Sequence, residues 1–304
     1  MDKAKKKKKN WLRISFILFC IALPVLNWLI FYVYVNLSSF TMAFTDKNGT
    51  FGFDNFIRFF NEFKVPSSQI RIALRNTLLT FVIILLSYPF KVLVSFFIYK
   101  KVPFAGIYRI LFFLPSIIFG VAVAMIFNRM VGPNGAIAQA VQELFHLEYT
   151  PELLADSRYA NITVLLHMLW LGFPGDLIIW GGTFARIPEE ILEAGRIDGV
   201  SWWTEFTKIV VPMVWPTVSL QMVLMICGIF GSSGAVFLLT GGEYNTITLS
   251  CWMYLQVLNV AGTPNTSNAF NYLSAVGFII TVVSVILSLL VRKLADSFFE
   301  EVEF

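Results

Sequence analysis

The chain has 304 residues, of which 57% are hydrophobic and only 14% charged, with a mean hydropathy of +0.72 and a formal net charge of +4. A soluble domain carries roughly 25% charged residues, so this composition, with its apolar residues gathered in long runs, excludes an ordinary soluble globule and indicates a polytopic membrane protein. The positive charge is largely an end effect, because residues 1–13 hold six lysines and Arg13.

That basic stretch runs directly into an apolar one. No small-residue cleavage site follows, so the segment reads as a signal anchor kept as the first span rather than as a removed leader. The Lys5–Lys9 run beside a span reads as an anchor against anionic lipid and not as a nucleic-acid site. A membrane helix needs about 20 mostly apolar residues. Six are predicted, over 14–37, 72–99, 107–130, 161–184, 213–239 and 270–291, which makes the fold class an all-α membrane protein with six transmembrane helices. Pro24, Pro89, Pro115 and Pro174 interrupt these spans. Neighbouring helices can satisfy the backbone groups they free, which predicts kinks rather than breaks. With the N-terminus inside, and counting span ends with the segment they adjoin, 15 Lys and Arg fall on the inner side and 7 on the outer, with Lys91 deep inside a span. The bias places both termini in the cytoplasm.

Of the outer segments, 38–70 carries the turn signal Thr45-Asp-Lys-Asn-Gly49 and an aromatic amphipathic stretch, 53–63. Segment 131–158 opens with Gly132-Pro-Asn-Gly135 and continues as a short helical pattern, and 241–269 opens with Gly241-Gly242 and is rich in Asn, Thr and Gly. These are candidates for docking an extracellular protein, or else plain polar connectors. Cys20, Cys227 and Cys251 form neither a metal spacing nor a disulfide framework, and with His146 and His167 the only histidines no metal cluster is expected.

The inner segment 188–212, PEEILEAGRIDGVSWWTEFTKIVVP, carries the most information. Pro188 suits the first turn of a helix, and Glu189, Glu190 and Glu193 favour its positive N-terminus. Asp198-Gly199 marks a turn. Ser201 can cap a second short helix bearing Trp202, Trp203 and Phe206; a capping box would want an acid at 204, but the acid is Glu205, one place late. Pro212 is expected to end this segment and start the fifth span. The product is a helix–turn–helix elbow bearing acids and aromatics.

In spacing, Glu193-Ala194-Gly195, Gly199, Ile209, Val211 and Pro212 resemble the "EAA" loop of ABC importer permeases, with Gly195 in place of the second Ala and Val211 in place of Leu. Ala73-Leu-Arg-Asn-Thr-Leu78 and Tyr108-Arg-Ile-Leu-Phe-Phe-Leu-Pro115 resemble two further motifs of that family, and these together with Thr240-Gly-Gly242 resemble its carbohydrate branch, of maltose and multiple-sugar type. The resemblance implies a type I ABC importer permease fold: a basic tail 1–13, a first helix and loop 14–69, a five-helix core 70–292 containing the coupling loop 186–212, and a tail 293–304. It implies a carbohydrate importer working with a second permease subunit, an ABC ATPase dimer that uses ATP and Mg, and an extracellular solute-binding lipoprotein. This chain has no phosphate-binding loop and binds no cofactor in that scheme. The elbow would insert into a cleft of the ATPase.

Polar residues within spans are costly and become functional candidates. The fourth span carries His167, Trp170, Asp176 and Trp180 around Gly172-Phe-Pro-Gly175, and the fifth carries Gln221, Gly228, Gly231, Ser232, Ser233 and Gly234. The resemblance implies that these helices line the sugar path, with Met168, Leu171, Gly172, Gly175, Phe230, Ser232 and Ser233 as contacts. Asp176 either joins the path or pairs across helices, with Lys91 as the partner. The Gly and Ser cluster serves equally for close helix packing, and His167 reads as an interior histidine with its hydrogen bonds satisfied. A permease for a non-sugar solute is the nearest alternative. A membrane enzyme lacks a nucleophile with a base, and a secondary transporter often has repeats that are not visible here.

Overall fold

The computed structural model describes the backbone of residues 2–100, 102–231, 234–261 and 266–297, and their side chains except those of 2–10, 12, 13 and 266. Among the described residues the regular structure is helical, apart from one isolated bridge, Thr45 to Phe51. Two compact units are present: Met1–Asn61 with Val260–Thr281, and Glu62–Asn259 with Val282–Phe304.

In the first unit, α1 (Ile14–Ala43) is a long apolar helix with a π-helical stretch at Leu29–Tyr34. Its side chains stay open, with Phe19 76% and Leu23 74% exposed, as suits a helix whose solvent is lipid or another protein. The turn that follows is built by Asp46, whose carboxylate accepts the N–H groups of Asn48 and Thr50 at 2.8 Å each. Gly49 there has φ +78°, a conformation that glycine adopts without strain. In α2 (Asp54–Lys64), buried Asn55 donates its amide to the carbonyl of Thr45 at 2.9 Å. Phe44 packs with Phe53, Phe56 and Phe278, centroids 5.5, 5.0 and 5.6 Å away, and the Arg58 guanidinium lies 4.0 Å over the Tyr272 ring.

In the second unit, α3 (Gln69–Tyr99) starts at Ser68, whose side chain accepts the Arg71 N–H, and packs along α7 (Ala160–Phe184). Between them the predicted third span, 107–130, is not one helix. It is α4 (Ala105–Ile117) and α5 (Gly120–Val131), and the chain bends by 106° between α4 and Gly120–Leu144. Pro115 withholds the N–H that Leu111 would receive, and Ile118 and Phe119 then turn extended, with ψ 141° and 128°. Pro24, Pro89 and Pro174 lie inside unbroken helices, whereas the span that holds Pro115 breaks just after the helix containing it. After α5 the chain turns at Gly135, where a Cβ would stand 2.2 Å from the Met130 carbonyl oxygen, and enters α6 (Ala136–Leu144).

Following α7 come α8 (Glu189–Ile197) and α9 (Trp202–Gly228). Pro212 stands in the first turn of the α-helical stretch Val211–Gly228, as expected, but it does not end the elbow, because α9 is continuous through it. The π-helical turn Glu205–Val210 lies just before Pro212, where widening relieves the clash of a proline ring with the preceding carbonyls. At its other end the predicted span 213–239 stops early. Ile229–Gly231 form a turn, and α10 (Gly234–Thr240) is separate. Gly228 and Gly231 flank that break, and glycine weakens a helix interior by about 1 kcal/mol relative to Ala. Segment 241–269 contains a helix the polar composition concealed, α11 (Leu249–Val260), and α12 (Thr266–Asp296) is the last helix among the described residues. Among the described residues five helices are long and apolar enough to cross a membrane, or six if the bent pair counts as one span.

Candidate functional site: the elbow and the α7 stripe

The elbow folds as its residues dictate. Pro188 stands just before α8, and Glu189 and Glu190 occupy its first turn, where the helix dipole favours anions. Asp198 closes the helix and Gly199 takes φ +71°. The Ser201 side chain accepts the Thr204 N–H at 3.3 Å, and its hydroxyl meets that of Thr204 at 2.9 Å, so Thr204 fills the place an acid holds in a capping box.

Glu189, Glu190, Glu193, Ala194, Asp198, Gly199 and Trp202 are all exposed, and Ile197 is 85% exposed. The opposite side is sealed. Leu192 and Gly195 are buried, and a Cβ on Gly195 would lie 3.2 Å from Ile209 Cδ1, which explains why the motif's second alanine is a glycine here. Leu192 belongs to one apolar cluster with Phe96 of α3, Phe184 of α7 and Phe206 and Val210 of α9. The Phe96 ring lies 5.7 Å from Phe184 and 5.2 Å from Phe206. Burying a leucine of this kind contributes about 1.5–3 kcal/mol. The elbow is therefore not a loose loop: its buried face is continuous with the core of three long helices. Lys100, at the end of α3, pairs with the buried carboxylate of Glu205 at 2.5 Å. The sequence gives Glu205 no distinction beyond its missed capping position, and its burial has no local signal.

On α7, Met168, Leu171, Gly172, Gly175 and Asp176 fall at helical spacing along one stripe. Gly172 and Gly175 are exposed, Leu171 and Asp176 half-buried, and Met168 packs partly against the cluster containing Val164 and Val236. Asp176 takes the alternative left open above: Lys91 Nζ donates to its Oδ2 at 2.8 Å, with side chains 8% and 17% exposed. Gly172 faces the same ammonium, since a Cβ there would lie 3.3 Å from Nζ. Phe230 sits half-buried in the turn after α9, and Ser232 and Ser233 lie outside the described residues. His167 departs from expectation. It is buried with neither ring nitrogen hydrogen-bonded among the described residues, held between Phe127 and Trp170 at 4.7 and 6.3 Å. No group of three or more potential metal ligands occurs among the described residues.

Asn76 and Thr77, inside the motif 73–78, hold the segment around 245–249. The Asn76 amide donates to the carbonyls of Asn245 and Ile247, and the Thr77 hydroxyl accepts the Leu249 N–H at 2.9 Å. That segment is conformationally costly, with Tyr244 and Asn245 at φ +53° and +61°.

Known proteins are similar to this chain. The multiple sugar-binding transport system permease protein MsmF of Streptococcus mutans is 25% identical over 279 residues, 90% of this chain and 93% of that protein. The lactose transport system permease protein LacF of Rhizobium radiobacter is 25% identical over 225 residues, 72% of this chain and 73% of that one. A crystal structure of a bacterial ABC transporter involved in the import of the acidic polysaccharide alginate contains a chain of the same fold. It superposes with TM-score 0.78 at 22% identity, covering 95% of this chain and 99% of that one. The elbow, the helices sealed to it and the polar stripe all fall within residues 68–299, which match the family described as binding-protein-dependent transport system inner membrane component, and the chain is a member of that family: a multi-pass permease subunit, not itself an enzyme.

Proposed function

We propose that this chain forms part of the translocation path of an ATP-driven importer for a sugar or oligosaccharide, beside a second, similar permease. A separate ATPase dimer would consume ATP with Mg and press on the elbow, and an extracellular solute-binding protein would deliver the substrate. The Lys and Arg distribution supports both termini, and the elbow, on the cytoplasmic side. Relatives named for multiple-sugar and lactose transport support a saccharide cargo.

The observation that carries the reading is the two-sided elbow. Its acidic face and the apolar tip at Ile197, 85% exposed, await a partner, while Leu192 on the other side joins the core of α3, α7 and α9. A push on the exposed face therefore reaches three spans through packed side chains, which are stiff. Above it, Met168, Leu171, Gly172, Gly175 and Asp176, with Phe230, Ser232 and Ser233, would line the path. Apolar surfaces pack on sugar C–H faces and the Asp176 carboxylate accepts hydroxyl hydrogen bonds.

The test is at the elbow. Gly199 has φ +71°, which proline cannot adopt, and Glu193→Lys reverses a charge on the exposed face. Gly199→Pro and Glu193→Lys each abolish uptake while the protein still inserts and accumulates. Normal transport-coupled ATP hydrolysis in either variant would sink the coupling role.

A further inference from the structure

Glu205 is the charged group the functional reading leaves unexplained. It is 4% exposed, lies beside the apolar cluster at the elbow's base, and its Oε1 has no hydrogen-bond partner among the described residues. Its other oxygen takes the Lys100 ammonium, 105 positions away in the chain. A buried ion pair contributes little to stability that apolar residues of the same volume would not, and its best-attested use is to fix register. Leucine or phenylalanine would have served as packing here. What the pair adds is a defined correspondence between one turn of α9 and the last turn of α3.

The place where it does so is mechanical. Glu205 opens the π-helical turn Glu205–Val210, which lies between the capped start of α9 and its regular body. A π turn departs from the regular hydrogen-bond ladder and is one of the places where helices kink. Force entering at the elbow and travelling only along α9 would be absorbed there. Lys100 ties that turn sideways to α3. Its ammonium lies 5.2 Å over the Phe96 ring, which itself packs on Phe206 at 5.2 Å, and Phe97 meets Trp202 at 5.3 Å.

We propose that Lys100 and Glu205 are positioning residues: a charge-paired brace that keeps the elbow end of α3 and the base of α9 moving as one body, so that the stroke bypasses the π turn and enters both spans. This rests on the coupling role proposed for the elbow. The brace stays closed throughout the transport cycle, because its purpose is to transmit motion and not to switch.

The test uses the assembled importer purified with its own subunits, in a background where exposed Cys20 and Cys227 are serine. In Lys100→Cys/Glu205→Cys the charges are gone, and the number of ATP hydrolysed per solute imported rises by about fivefold or more. A short bis-methanethiosulfonate linker across the two thiols returns that ratio towards the parent value, and Lys100→Arg, which keeps the charge, leaves it unchanged. A merely structural role would alter the yield of assembled complex and not this ratio. The brace is refuted if the uncross-linked double variant couples like the parent, or if cross-linking stops both hydrolysis and import. Should the cysteine pair not assemble, Glu205→Gln supplies the same measurement without a change of shape. Loss of coupling in Gly199→Pro together with parent-like coupling in the brace variants would remove the brace alone. Parent-like coupling in both would remove the elbow reading itself.

Discussion

Replacing Asp176 by alanine strands a charge. Lys91 lies in the apolar helix α3, its side chain 8% exposed, and its ammonium is held at 2.8 Å by Asp176 with Gly172 close by. Removing one member of a buried pair costs about 3–5 kcal/mol, because the survivor is left without compensation. Asp176 keeps 17% exposure, so some solvation reaches the site and the lower end, about 3 kcal/mol, is expected. That is a large share of the roughly 5–15 kcal/mol that holds a folded domain together. Removing both charges as Lys91→Met/Asp176→Ala leaves no orphan and recovers most of the loss. Thermal melting of the purified complex measures the four corners of this cycle. Uptake then separates structure from path, because a double variant that melts like the parent yet transports poorly assigns Asp176 to the path as well as to the pair. Melting of Asp176→Ala at the parent temperature, or a double variant worse than either single one, would refute the argument.

Further substitutions test the close approaches. Gly195→Ala, the residue common in the motif, is tolerated because Ile209 Cδ1 can yield, whereas Gly195→Val overpacks the elbow's base by about 1–3 kcal/mol and lowers coupled ATP hydrolysis. Gly135→Ala drives a Cβ into the Met130 carbonyl, so the turn must rearrange, destabilising by about 2–3 kcal/mol and exposing 131–136 to limited proteolysis. Asp46 is held below its ordinary value of 3.8 by hydrogen bonds from Thr50 and Asn48. Its contribution to the turn is thus complete above that value and fades as pH falls below it. Amide exchange at Asn48 and Thr50 should quicken in that acid range in the parent protein and be insensitive to it in Asp46→Asn.

The elbow was legible because its rules are local. Asp198-Gly199 and Ser201 each determine backbone within a few residues, and the turn and cap appear where those residues stand. The α7 stripe was implied by the resemblance to the permease family, and helical spacing accounts only for its residues sharing one face. What could not be read depended on distant chain. Glu205 is buried because Lys100 and Phe96 of α3 reach it, and nothing near Glu205 says so. The break at Ile118–Phe119 was missed because the apolar run passes through it uninterrupted, and composition does not report backbone direction. Helix α11 was hidden by the polar residues around it, although Leu249–Val260 is itself apolar enough to have been found. Pro212 does begin the α-helical stretch Val211–Gly228, but the π turn that joins it to the elbow without a break carries no local signal.

The stitching of Asn76 and Thr77 to residues 245–249 has a consequence in time. The partners are separated by 169 and 171 positions for Asn76 and by 172 for Thr77. At about 5–20 residues per second of synthesis, the amide and hydroxyl at the start of α3 wait roughly 10–30 s before their acceptors and donor exist. During that interval water, or an insertion partner, must satisfy them. A nascent chain that stalls before residue 245 displays an unmet Asn76 amide at the mouth of its second span, whereas the Thr77 hydroxyl, which also donates to the Ala73 carbonyl, lacks only its later donor.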